Sequence, residues 1–213
     1  MVAAIKAALA NVAQINDGLN PMLLYLHGFE SSPASPKILA TEQHLQLQNR
    51  ASLLRAPQQP AKMSENLRYL NALIGKIDEP IAVMGSSLGG FWAHYVVSQL
   101  QLRGVEARAV LINPAVSPAQ WMPRETEQRI HPYTAERYQL DDSDRAALLK
   151  AEQALSEQVE LLVLLQQGDE TLDFRDARTR YRHQRMIVEA SGDHSFVNFS
   201  RYLPMTLEFL RVL

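Results

Sequence analysis

Residues 80–97 read PIAVMGSSLGGFWAHYVV. An apolar run from Ile81 to Met84 breaks on Gly85–Gly90 and resumes at helical spacing, with Ala93, Val96, Val97 and Leu100 on one face. A strand therefore runs almost directly into a helix. Such a break reads in three ways: a nucleophile on a sharp turn, a phosphate cradle, or a tight turn with an incidental serine. Gly85-Ser86-Ser87-Leu88-Gly89 fits G-x-S-x-G, which would place the Ser87 hydroxyl on a strained strand-to-helix elbow above the sheet edge. As a phosphate cradle it would belong to a doubly wound nucleotide-binding module. Neither G-x-x-x-x-G-K-[ST] nor G-x-G-x-x-G is present to support that alternative.

Outward from this stretch, short runs of Leu, Val and Ile end in turn formers at MLLYLHG (from Met22), SLLRAP (from Ser52), AVLINP (from Ala109), LLVLLQQGD (from Leu161) and MIVEASG (from Met186). Consecutive rather than alternating apolar positions suit strands buried on both faces, as in a parallel sheet covered by helices. Helical spacing appears at 35–49, 64–77, 88–102 and 198–213, the last bent or delayed by Pro204. The expected fold is α/β, a mostly parallel sheet of about six strands flanked by helices. One interval breaks the rhythm. Residues 115–158 are too long for a simple connection and are expected as a small helical cap insertion, in which Trp121, Met122, Tyr133 and Tyr138 either line an acyl pocket or pack beneath the loop.

The 213 residues suit a single domain, expected over 21–213, with residues 1–20 as an N-terminal extension. Lys6 interrupts the alanine-rich opening and no apolar run has the length of a membrane span, so a cytoplasmic protein is expected. Net charge is −2 with no long basic run, which disfavours nucleic acid and anionic membranes as partners. Cysteine is absent, so disulfides, thiolate metal sites and a cysteine nucleophile are excluded.

A serine hydroxyl needs a base, and the base needs an orienting carboxylate. In an α/β sheet with a G-x-S-x-G elbow the chain order is serine, acid, histidine. Asp169 directly follows the buried run LLVLLQQG, and His194 follows the last apolar run. Asp173, Asp176 and Asp193 compete for the acid role, with Asp169 nearest the sheet edge. An oxyanion requires fixed N–H donors; the amide of Leu88 is one candidate and that of Phe29, after His27-Gly28, the second. His94 lies two helical turns beyond Ser87, out of hydrogen-bond reach, while His44, His131 and His183 are expected as solvated surface groups. No metal-ligand spacing appears, so no metal and no cofactor is expected.

Taken in order, LLYLHGFESSP, GSSLGG followed by Phe91, INPAVSP, PYT followed by YQL, LLQQGDETLDF and SGDHSF resemble the YqiA-type esterases, also known as UPF0227, within the α/β-hydrolases. The resemblance runs from about Met22 to the C-terminus. It implies an α/β-hydrolase fold, Ser87, Asp169 and His194 as nucleophile, acid and base, and Phe29 and Leu88 as oxyanion donors. It also implies hydrolysis of short-chain acyl esters and acyl-CoA thioesters. Two positions depart from the family pattern: His131 replaces the usual Asn before Pro-Tyr-Thr, and Asp193 replaces the usual Asn beside the base. A hydrolase fold kept only for binding is the remaining alternative, and oligomeric state is not legible in the sequence.

Overall fold

The computed structural model describes residues 20–122 and 127–213. The expected extension, apart from Asn20, lies outside the described residues. Six parallel strands form the main sheet: β1 (Met22–Leu26), β2 (Leu54–Arg55), β3 (Ile81–Ser86), β4 (Ala107–Ile112), β7 (Glu160–Gln166) and β8 (Arg185–Glu189). Their spatial order is β2-β1-β3-β4-β7-β8, and each coincides with one of the six apolar runs. The chain passes from β1 outward to β2, then returns to the other side of β1 and proceeds to β8. The connections leaving β1 and β3 therefore diverge in opposite directions, and a crevice opens between their C-terminal ends.

Alternate residues of each central strand feed opposite layers, which is why the strands read as continuously apolar. Leu24 and Leu26 of β1, Val83 of β3, Leu111 of β4 and Val163 of β7 join one cluster. Leu23, Tyr25, Met84, Val110 and Leu164 join the other. The first layer is closed by α2 (Met63–Ile74) through Leu67 and Leu70, and by α3 (Leu88–Leu102). Ile38 and Leu45 of α1 (Pro36–Leu47) close the second layer together with Leu203 and Leu207 of the C-terminal helix.

Residues 115–158 lie between β4 and β7. They carry the short turn Pro118–Trp121, a two-stranded antiparallel ribbon of β5 (Arg129–Ile130) with β6 (Arg137–Tyr138), and α4 (Asp142–Gln153). The described part of the segment is thus helix plus ribbon, and the ribbon had no legible signal because two-residue strands have no periodicity. Asp141 and Asp144 form a capping box at the start of α4. The fully buried Asp144 carboxylate also accepts from the Ser64 amide at 2.9 Å and faces Lys62 at 3.6 Å, pinning the insertion to the start of α2.

Two further helices follow among the described residues: α5 (Phe174–Arg180) between β7 and β8, which the spacing did not reveal, and α6 (Leu203–Phe209). The expected helix over 198–213 is a 3₁₀ turn, Phe199–Tyr202, that becomes α-helical at Leu203, where Pro204 sits in the first turn. There the missing N–H costs nothing.

Helix α3 is buried nearly all round because the sheet lies on one side and the insertion with its exit loop on the other. His94 is consequently not solvated. Its Nε2–H donates to the Ser156 carbonyl at 2.8 Å, and burial lowers its pKa from 6.5 to about 4. A folded-state pKa below the unfolded value means that the unfolded chain binds the proton first as pH falls. The stability due to neutral His94 is therefore complete above about pH 7 and declines from 6.5 towards 4. His94→Gln, which keeps an N–H donor but does not titrate, is expected to reduce the loss of unfolding free energy between pH 7 and pH 5 by about 2 kcal/mol. Urea titrations of both proteins at the two pH values measure the difference.

Candidate active site

The elbow is assembled by close backbone approach. Ser87 has φ 57° and ψ −126°, a conformation that costs a non-glycine residue about 1–3 kcal/mol. It is held by its own N–H, which donates to the Ile112 carbonyl at 2.9 Å, and by its carbonyl, which accepts from the Gly90 and Ala115 amides. A methyl group at Gly85 would lie 2.1 Å from the Gly89 carbonyl oxygen, and one at Gly89 would lie 2.1 Å from that of Leu26. Glycine at both positions is what allows α3 to begin directly against the ends of β1 and β3.

Ser87, His194 and Asp169 come together from the ends of β3, β8 and β7. His194 Nε2 is 3.1 Å from Ser87 Oγ, and His194 Nδ1 is 2.9 Å from both Asp169 carboxylate oxygens. With the Nδ1 proton directed at the carboxylate, Nε2 is left to accept from the serine hydroxyl. The Asp169 side chain is only 2% exposed. Burial acts to raise its pKa, but hydrogen bonds from His194 and from the Leu172 and Thr171 amides outweigh this and hold it below the usual carboxylate range. The competing Asp173 is occupied elsewhere, as N-cap of α5, where it accepts from the Arg175 amide at 2.9 Å. Asp193 Oδ1 accepts a hydrogen bond from the Ser195 hydroxyl at 2.6 Å.

The loop carrying His194 is fixed by residues that no motif had singled out. Asn113, at φ 40° after β4, donates from Nδ2 to the Asp193 carbonyl at 3.0 Å and accepts the Gln166 amide on Oδ1 at 3.0 Å. Gln166 Oε1 accepts from the Asp193 and Val197 amides at 3.1 and 2.8 Å. Lys37 Nζ donates to the Ser195 carbonyl at 2.7 Å; burial lowers its pKa against the opposing pull of Asp193 and Asp169. Glu170 accepts from the His194 amide at 3.0 Å. The only sequence signal for Asn113 was its place in INPAVSP, one of the blocks carrying the family resemblance.

On the other side of the crevice, the loop after β1 presses against the elbow. A methyl at Gly28 would lie 3.3 Å from Ser87 Cβ and 3.7 Å from Oγ, so Phe29 follows directly beside the serine. Leu88 opens α3, and its amide has no carbonyl one turn earlier in the helix to bond. Glu30 (φ 50°) then accepts from Arg129 Nε and Nη2 at 2.9 and 3.0 Å and from the Tyr138 hydroxyl at 2.6 Å. These contacts, the bidentate Arg129 pair foremost, keep the Glu30 pKa low and tie the β5–β6 ribbon to this loop.

Between loop and insertion lies a mostly apolar cavity of about 270 Å³, walled by Phe29, Leu88, Trp121, Met122, Leu148 and Leu172, among others. Of the four insertion residues considered for an acyl pocket, Trp121 and Met122 line this cavity. Tyr133 is 61% exposed, and Tyr138 is used on Glu30. His131, expected at the surface, is 2% exposed: its Nδ1 accepts from the Tyr133 and Thr134 amides and shapes that turn. His183 is exposed as expected, and His44 is half-buried. Among the described residues no group of three or more His, Cys, Asp or Glu side chains is placed to hold a metal, and no helix is long and apolar enough to cross a membrane.

Several solved structures share this architecture. Est1E from Butyrivibrio proteoclasticus superposes with a TM-score of 0.64 at 13% identity, over 89% of this chain and 86% of that one. The mouse alpha/beta hydrolase domain-containing protein 10 gives 0.63 at 14%, over 88% of each chain. A monoacylglycerol lipase from Paleococcus ferrophilus gives 0.61 at 13%, over 90% and 95%. These likenesses establish an α/β-hydrolase fold. The model of the uncharacterised protein family UPF0227 matches residues 22–211, which include all six strands of the main sheet and Ser87, Asp169 and His194, and the chain belongs to that family.

Proposed function

We propose that this protein is a serine hydrolase that cleaves carboxylic esters or acyl thioesters through an acyl-enzyme. The observation that carries this reading is the continuous chain of contacts from Ser87 Oγ to His194 Nε2 and from His194 Nδ1 to the buried Asp169 carboxylate. Ser87 Oγ attacks the acyl carbon as His194 Nε2 takes its proton. The developing oxyanion is received by the amides of Phe29 and Leu88. Collapse breaks the bond to the leaving alcohol or thiol, which takes the proton from His194. Water then repeats the sequence on the acyl-enzyme, releasing the acid and restoring Ser87. Asp169 keeps Nδ1 protonated and stabilises the imidazolium formed in each half.

Residues 115–158 act in this reading as a cap on a single domain spanning 21–213, and their Trp121, Met122 and Leu148 side chains supply much of the acyl pocket. Its apolar lining suits an unbranched or aryl acyl group rather than a charged one. The lipase among the structural neighbours is named for action on an acyl ester, which accords with this substrate class. The nucleotide-binding alternative is disfavoured by the elbow itself, because Gly85 and Gly89 are packed against protein backbone.

Hydrolysis of p-nitrophenyl acetate, butyrate and octanoate and of the matching acyl-CoA thioesters tests the proposal. Each buried methylene contributes about 0.8 kcal/mol, so kcat/KM is expected to rise from acetate to butyrate by up to about 15-fold. Absence of turnover on every ester and thioester would overturn the reading.

A further inference from the structure

Beneath the loop that carries Phe29 lies a buried polar cluster that the reaction does not use directly. Gln59, 5% exposed, grips His27 twice: its amide donates to His27 Nε2 at 3.1 Å, and its side-chain Nε2 donates to the His27 carbonyl at 2.8 Å. The first bond fixes the tautomer of His27. Nε2 must accept, so Nδ1 carries the proton and donates to the Gly28 carbonyl at 2.9 Å. Burial, by lowering the His27 pKa, favours this neutral form. Both carbonyls before Phe29 are thereby held, and with them the two peptide planes leading to the Phe29 amide.

Gln59 is oriented in turn by Asn66, whose Nδ2 donates to Gln59 Oε1 at 3.2 Å. Asn66 Oδ1 and Trp92 Nε1 are both buried, and neither has a hydrogen-bond partner. One is an acceptor and the other a donor, and both residues line a cavity of about 20 Å³ that also touches His27, Gly28, Phe29 and Gln59. A space of this size holds one water, and a buried water needs such a donor and acceptor pair. Burial of both groups without a partner is unfavourable, and a bridging water removes the penalty.

We propose that Gln59 is the positioning residue of the oxyanion loop, and that it is braced by Asn66 and by one water bound between Asn66 Oδ1 and Trp92 Nε1. The inference rests on the reading of Ser87 as nucleophile and of the Phe29 amide as an oxyanion donor. Gln59 touches no reacting atom. Its effect is to keep a donor aimed at a charge that exists only in the transition state, so its loss acts on kcat rather than on substrate binding.

Gln59→Leu keeps the volume and removes the side-chain bonds to His27 and Asn66. Deleting an oxyanion donor costs about 10²–10³ in kcat and misplacing one by about 1 Å costs up to about 10², so kcat for p-nitrophenyl butyrate is expected to fall about 10- to 100-fold. KM should stay within about twofold, and affinity for a trifluoromethyl ketone, whose adduct on Ser87 carries an oxyanion, should weaken in parallel with kcat. Should Gln59→Leu fail to fold, Asn66→Ala, which spares both bonds to His27, is expected to give the same pattern at about fivefold. Crystals of the wild type should show one water within hydrogen-bond distance of Trp92 Nε1 and Asn66 Oδ1. Overturning results are a kcat within threefold of wild type, a loss of kcat with unchanged ketone affinity, or no water at that position. A wild-type protein that hydrolyses no ester and takes up no fluorophosphonate overturns the functional reading and this inference together; an active wild type with an unaffected Gln59→Leu overturns this inference alone.

Discussion

Ser87→Ala is expected to hydrolyse p-nitrophenyl butyrate at least about 10⁴-fold more slowly than wild type, since removal of the nucleophile from a triad leaves only the catalysis supplied by binding and the oxyanion site. The backbone at this position makes the experiment more informative than a simple knockout. At φ 57° and ψ −126°, alanine is strained as serine is, so the melting temperature of Ser87→Ala should stay near that of wild type. Glycine has no Cβ to clash there, and Ser87→Gly is expected to gain about 1 kcal/mol of stability while being equally inactive. Rising stability with vanishing activity is the mark of strain retained for function. Urea denaturation and ester turnover on the three proteins measure both effects. Equal activity in Ser87→Ala would remove serine from the mechanism.

The second large effect is expected at Asp169. In Asp169→Asn the new oxygen can still accept from the Thr171 and Leu172 amides, so the loop should keep its shape. The amide nitrogen then faces His194 Nδ1 and donates to it, which moves the imidazole proton to Nε2. A protonated Nε2 cannot take the Ser87 proton, and kcat is expected to fall about 10⁴-fold with KM little changed. Asp173→Asn is the paired control. Asn is as good an N-cap as Asp, so α5 should persist and turnover should stay within twofold. If the control loses activity and Asp169→Asn does not, the assignment of the acid is reversed.

The strands and the elbow were readable because their signals are local. Leu, Val and Ile at consecutive positions report burial on two faces, and that condition holds for β1, β3, β4 and β7, whose alternate residues enter the two apolar layers. Even the two-residue β2 lay within one of these runs. The grouping of Ser87 with His194 and Asp169 followed from chain order and from the fact that each ends or follows a strand of one parallel sheet. Residues bonded across the fold left no such trace. Gln59, Asn113 and Gln166 act through amide groups on backbone tens of residues away, and apart from the place of Asn113 and Gln166 in two of the family-like blocks nothing in their neighbourhood distinguishes them from solvated amides. His94 and His131 were misplaced at the surface, or left without a role, for the same reason. The partner of His94 is the Ser156 carbonyl, and His131 is enclosed by the loop it organises. The β5–β6 ribbon is legible only through the tertiary pairing of Arg129 and Tyr138 with Glu30.

In the proposed mechanism Ser87 is the activated nucleophile. Incubation of the wild-type protein with a fluorophosphonate, followed by intact mass measurement and peptide mapping, tests it most directly. A single covalent adduct on Ser87 is expected, absent from Ser87→Ala and formed far more slowly on His194→Ala. No adduct on the wild type, or one that persists in Ser87→Ala, would contradict it.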